Sequence, residues 1–222
     1  TPTHALLGTA TTNDAIDGAA EFTQPATDQR GFPRPQMAAR DAGAYELGAQ
    51  CFAYDGTTQY QSDDAQAIQQ AVNAATSNLI KVAGYCAGVD DSDNANGDET
   101  LLLDGVTITL QGGYDPAPAI NGTGPIDWNT PTGATTVLDA LSGGRVAYIT
   151  ASADVTFADL TLRNGYVLNA NGGAVFNAGT LTLDNSSVQS STADEGEGGG
   201  VYNDSGTLDR KSTRLNSSHV CS

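Results

Sequence analysis

The chain has 222 residues, with 26 acidic and 9 basic side chains and a formal net charge of −17. That size fits one ordinary domain or pieces of two. The charge repels phosphate backbones and anionic lipids, which argues against nucleic-acid partners and membrane insertion, and no apolar run approaches the ~18 residues of a membrane span.

Of the acids, 21 are Asp and five are Glu, and Gly supplies 26 residues. Asp and Gly favour turns, so the composition predicts short strands and many corners and excludes long helices. The chain opens on Thr1 with nothing resembling a leader before it, which reads as processing or as an internal fragment.

Residues 1–50 form a first segment with little periodicity before Asp28-Gln29-Arg30-Gly31-Phe32-Pro33-Arg34-Pro35. Its prolines fix φ and bias their neighbours to extended backbone, and Asp28, Asp41 and Glu46 are available to Arg30 and Arg34. Together with Asn13-Asp14-Ala15-Ile16-Asp17-Gly18 and Asp41-Ala42-Gly43-Ala44-Tyr45-Glu46, this segment resembles the choice-of-anchor Q-type domain. It departs from that family at Ala39, where the family carries glycine. The resemblance implies the closing part of an upstream module in an exported bacterial β-helical protein.

The pattern restarts at residue 51. Ser62-Asp63-Asp64, followed by Ala65, Ile68, Ala71, Val72 and Ala75, predicts a capped amphipathic helix over 63–75. Leu79-Ile80-Lys81-Val82-Ala83 reads as a strand, as do Leu101-Leu102-Leu103 and the alternating Val106-Thr107-Ile108-Thr109-Leu110. The acidic loop 90–99 fails an EF-hand register, since Ser92 and Leu103 fall where Asp and Glu belong. An irregular calcium site on Asp91, Asp93, Asn96 and Asp98 is one reading of it; a solvated insertion is the other.

The downstream half repeats. Leu160-Thr161-Leu162-Arg163-Asn164 returns as Leu181-Thr182-Leu183-Asp184-Asn185, and Gly172-Gly173-Ala174-Val175-Phe176-Asn177 as Gly199-Gly200-Val201-Tyr202-Asn203. Repeats of this length with short strands and Gly/Asn corners predict the stacked coils of a parallel β-helix. This reading puts Leu160 and Leu181 in one inward ladder and stacks Asn164 on Asn185 at a corner.

The last fourteen residues break the pattern. Asp209-Arg210-Lys211-Ser212-Thr213-Arg214-Leu215-Asn216-Ser217-Ser218-His219 resembles the translation of a common sequencing adapter, so 209–222 is set aside as an artefact. Such a tail should pack poorly or imitate the next coil. Without it the net charge is −19, from 25 acids and six bases, and Cys51 and Cys86 remain of the three cysteines. These two are either bridged or buried thiols.

Across 65–208, Ile68-Gln69-Gln70-Ala71-Val72-Asn73-Ala74-Ala75, Ile80-Lys81-Val82-Ala83-Gly84-Tyr85, Leu110-Gln111-Gly112-Gly113-Tyr114, Thr136-Val137-Leu138-Asp139 and the Gly-Gly repeat resemble pectin-lyase-like β-helix proteins with polymorphic outer-membrane-type repeats. The expected fold is therefore all-β: a right-handed, single-stranded parallel β-helix over 51–208 with one N-terminal capping helix, truncated at its C-terminus.

Chemistry has to be argued from residues. A polygalacturonase-type hydrolase needs Asn-Thr-Asp, Asp-Asp, His-Gly and Arg-Ile-Lys motifs. Asp90-Asp91 and the helix-starting Asp63-Asp64 are present, but Asn129-Thr130 runs into Pro131, no His lies between His4 and His219, and Arg-Ile-Lys is absent. A calcium-dependent lyase needs a cationic base, for which Arg145, Arg163 and Lys81 are the candidates. No catalytic, cofactor or metal residue is assigned. Trp128, Tyr114 and Tyr166 are candidates for stacking on sugar rings or for covering loops. Asn121 and Asn185 head glycosylation-type triplets. The sequence thus points to an extracellular or cell-surface bacterial repeat protein with a structural or adhesive role and polysaccharide as a partner. The other class is a polysaccharide lyase or glycoside hydrolase with an incomplete site.

Overall fold

The computed structural model of the chain describes residues 50–90, 97–211, 214–216 and 220–221. The expected upstream module over 1–50, and Asp91, Asp93 and Asn96 of the candidate calcium loop, lie outside them. The coils begin with β1 (Cys51–Tyr54), β2 (Gln59–Ser62), α1 (Gln66–Ala74), β3 (Leu79–Ala87), β4 (Glu99–Leu103) and β5 (Thr107–Tyr114). They continue through β6 (Thr136–Asp139), β7 (Arg145–Ile149), β8 (Asp154–Ala158), β9 (Leu160–Arg163) and β10 (Tyr166–Leu168). β11 (Val175–Asn177), β12 (Thr180–Asp184), β13 (Ser187–Gln189), β14 (Thr192–Asp194), β15 (Val201–Asn203), β16 (Thr207–Lys211), β17 (Arg214–Asn216) and β18 (Val220–Cys221) complete them. Residues 116–126 belong to a second unit. Its described part is a single helical turn, α2 (Ala117–Ile120), closed by the Asn121 amide on the Ala117 carbonyl at 2.9 Å.

The strands stack as a parallel β-solenoid of about five turns, all-β as the repeats predict. One sheet runs β16-β12-β8-β5-β3 and continues as β6-β9-β13-β17; another runs β18-β15-β11-β7-β4, and β10 pairs with β14. β3 serves two sheets because it bends at Gly84, whose φ of +90° favours glycine.

Alternation decides what faces inward. In β12, Leu181 and Leu183 are fully buried between half-exposed threonines. The inward columns run Ile108–Val155–Leu181–Leu208 and Leu110–Phe157–Leu183. Each such side chain contributes about 1.5–3 kcal/mol on burial.

The stacking keeps the register of the Gly-Gly repeat, with Val175 on Val201, but corrects that of the Leu-Thr-Leu repeat. β12 lies on β8, 26 residues earlier, so Leu181 sits on Val155, whereas Leu160 sits on Thr136 in another sheet. Both leucines face the core, but in different columns. The 21-residue likeness compares two sides of the solenoid that use the same Leu-Thr-Leu alternation. Likewise Asn164 does not stack on Asn185. Asn185 stacks on Asp159, and the amide ladder is Asn177–Asn203, joined at 2.6 Å. The corners nonetheless repeat at 26 residues: Asp159 and Asn185, Asn164 and Ser190, and Asn169 and Glu195 all take positive φ.

At the solenoid's start, α1 is shorter than the predicted 63–75. Ser62 and Asp64 still cap it, accepting hydrogen bonds from the Ala67 and Gln66 amides at 3.0 and 2.9 Å. Ala67, Ile68, Ala71 and Val72 close over the coil core. β1 lies antiparallel on β3, and Cys51 and Cys86 are bridged across this junction. Residues 207–211 imitate a further coil: β16 pairs in register with β12, with Asp209, Arg210 and Lys211 exposed.

Candidate functional site

The first candidates were the aromatic rings, and two of the three are closed off. Trp128 and Tyr114 are buried. Trp128 stacks on Tyr54 with centroids 5.6 Å apart and leans on Tyr114 at 5.3 Å. Its indole N–H donates to Gln59 Oε1 at 2.9 Å, and its carbonyl accepts a hydrogen bond from the Lys81 ammonium. This cluster fastens residues 127–135 to the solenoid's start, so neither ring offers a face to a sugar. Tyr166 keeps an exposed ring beside Asp194, whose carboxylate accepts its hydroxyl at 3.3 Å. Burial, then the charges of Asp194 and Glu195, raise its phenol above the ordinary value.

A ring ladder that sequence reasoning missed runs through Tyr148, Phe176 and Tyr202, one per coil. The first two rings lie parallel within 6° at 4.8 Å, and Tyr202 follows at 5.6 Å. The Arg145 guanidinium sits 5.7 Å from the first two. The Tyr148 and Phe176 rings thus turn a face to each other, and Tyr202 continues the row at a tilt of 32°. The signal was present: Phe176 and Tyr202 hold the same place in the two Gly-Gly repeats.

The candidate cations are engaged as well. Arg163 donates to Asp139 Oδ2 at 2.7 Å and lies 5.4 Å over the Tyr85 ring. Asp139 is buried and also accepts hydrogen bonds from the Tyr85 hydroxyl at 2.8 Å and the Asn164 amide at 2.9 Å. Burial and then the Asp139 charge push the Tyr85 phenol well above its ordinary value. Burial works most strongly against the Arg163 charge, but the bonds to and charges of Asp139 and Tyr85 together outweigh it and raise the guanidinium pKa. Arg145 donates from Nε and Nη2 to the Asn171 carbonyl at 3.1 and 3.0 Å. Its pKa falls through burial despite the Glu99 charge. These groups hold the walls together.

Among the described residues a polar cleft of 210 Å³ lies open at the corner between β8 and β9. Its floor is Leu160 and the buried Thr136, whose Oγ1 accepts the Gly113 amide at 3.0 Å. Its wall is built by the 26-residue repeat. Asn185 Nδ2 donates to Asp159 Oδ1 at 2.6 Å, and Ser187 Oγ donates to Thr161 Oγ1 at 3.2 Å. Residues 133–135 form the opposite rim. Apart from Asn185, which heads a glycosylation-type triplet, none of these side chains was singled out for a site from sequence. Asp159 and Asn185 became neighbours only once the register was 26.

Among the described residues no group of three or more His, Cys, Asp or Glu side chains is placed to hold a metal ion. No protein-family model matches this chain, and no match is found among curated proteins or solved structures.

Proposed function

We propose that this chain belongs to an exported bacterial β-solenoid protein with a structural and adhesive role at the cell surface, and that it binds glycan. The observation that carries this reading is the corner cleft, an open recess lined by hydroxyl, amide and carboxylate groups. Concave sites with a few convergent polar groups are where small ligands bind. The Cys51–Cys86 bridge supports export, because structural disulfides persist in oxidising compartments. The engagement of Lys81, Arg145 and Arg163 favours retention of a polysaccharide over its cleavage.

A glycan array run beside a uronide-release assay with polygalacturonate and calcium tests the reading. Retention without release is the expected result. Calcium-dependent release of unsaturated uronides would replace adhesion with lyase activity.

A further inference from the structure

We infer that the corner cleft takes one neutral pyranose unit and rejects uronates. This rests on the glycan-binding reading above and names the ligand class of the same site. The cleft's volume of 210 Å³ lies below the roughly 300–1,000 Å³ of pockets for drug-sized ligands, which suits one ring of a chain rather than an extended segment.

The lining sets the chemistry. Asp159 commits Oδ1 to Asn185, and no hydrogen bond from another described residue reaches its Oδ2. An ionised carboxylate only accepts, so its partner must be an O–H or N–H donor. Asn185, having given an Nδ2 proton, keeps its carbonyl oxygen as a second acceptor. The Thr161–Ser187 pair and Thr135 add hydroxyls that both donate and accept. A sugar's hydroxyls match that mixture.

A sugar carboxylate fails on charge. None of the lining residues is basic, so nothing within the cleft offsets repulsion between a uronate and Asp159. Two like charges at ~4 Å repel appreciably even in water, and more strongly near a protein surface. The surrounding field has the same sign, with a net charge of −17 on the whole chain. This selectivity opposes that of a uronide-cleaving enzyme, which must neutralise the carboxylate it binds.

The test uses the full chain and three matched pairs of methyl glycosides that differ only at C6: glucoside and glucuronide, galactoside and galacturonide, mannoside and mannuronide. Binding is followed by amide chemical shifts at Thr135, Asp159, Thr161, Asn185 and Ser187. At least one neutral member should bind about tenfold tighter than its uronate, equivalent to 1.4 kcal/mol. Asp159→Asn keeps an acceptor for Asn185 and suits the positive φ of 54° while removing the charge. It should raise uronate affinity and bring the ratio to within about threefold. In the unaltered chain the ratio should shrink with added salt, because the cleft is open to solvent.

Uronates that bind as tightly as their neutral partners, or a ratio indifferent to both Asp159→Asn and salt, would overturn the inference and leave glycan binding standing. Silence from all six probes with an intact fold would remove the glycan reading itself.

Discussion

At its N-terminal end the solenoid is sealed; at residues 207–211 it is only extended. β1 supplies an antiparallel ladder along β3, the disulfide joins the two, and α1 lays four buried side chains over the coil core. α1 also closes a sheet edge. The Gln69 amide accepts the Leu102 N–H at 2.9 Å and donates to the Leu102 carbonyl at 3.1 Å, satisfying backbone groups of β4, the last strand of its sheet. β16 keeps the backbone pairing but loses the inward pattern. Leu208 continues one column, half-buried, while Arg210 occupies the rung opposite the fully buried Leu183. Backbone register alone therefore makes a strand without making a core. Side-chain alternation and dedicated edge chemistry make an end.

The largest effect expected from breaking that contrast is at the seal. Replacing both Cys51 and Cys86 with Ala should cost about 2–5 kcal/mol in urea unfolding. Reducing the unaltered chain should reproduce the loss. Next, Leu181→Ala should cost about 3 kcal/mol by leaving a cavity between Val155 and Leu208, whereas Leu208→Ala should cost less than about 1 kcal/mol. Equal losses at the two positions would mean that the last coil is as well packed as the interior.

Between these extremes lies the Tyr85–Asp139–Arg163 cluster. Arg163→Met leaves a buried carboxylate without its cation. The guanidinium is about one-third exposed, so the cost should be about 2 kcal/mol, below that of breaking a fully buried pair. The same cluster sets an alkaline limit. The Tyr85 pKa is raised in the folded state, so below the unfolded value of about 10 both states hold the proton and the stabilisation is complete. Above that pH the unfolded chain loses the proton first, and stability falls. Melting curves between pH 8 and 11 should show the decline, and Tyr85→Phe should flatten it. The smallest effect should be a gain. Arg210→Leu restores the Leu110–Phe157–Leu183 column and should add about 1 kcal/mol.

Much of the fold was legible because period-two alternation and Gly-Gly corners are local signals. Leu79, Leu101 and Ile108 each lie in a strand, and the amphipathic run at Ile68, Ala71 and Val72 is helical. The capping strands β1 and β2 were not read, because Cys-Phe-Ala-Tyr shows no alternation and Gln59–Ser62 carries little apolar character. The register failed for a physical reason: two sides of one coil obey the same in-out rule, so Leu160 and Leu181 look equivalent without being stacked. The site was illegible on the same account. Asp159 and Asn185 have no feature that marks a cleft until the coils are laid one on another.

The offset between stacked strands, 26 residues at β8–β12, β9–β13 and β11–β15 but 47 at β5–β8, also bears on how the chain folds. The contacts that join β8 to β12, β9 to β13 and β11 to β15 close loops of one length and incur similar entropic costs, whereas β4–β7 and β5–β8 must close loops nearly twice as long. The sealed end comes first in the sequence and offers a finished template to each strand that follows. Order should therefore spread in one direction, one turn at a time, with the sealed end as the last part to melt.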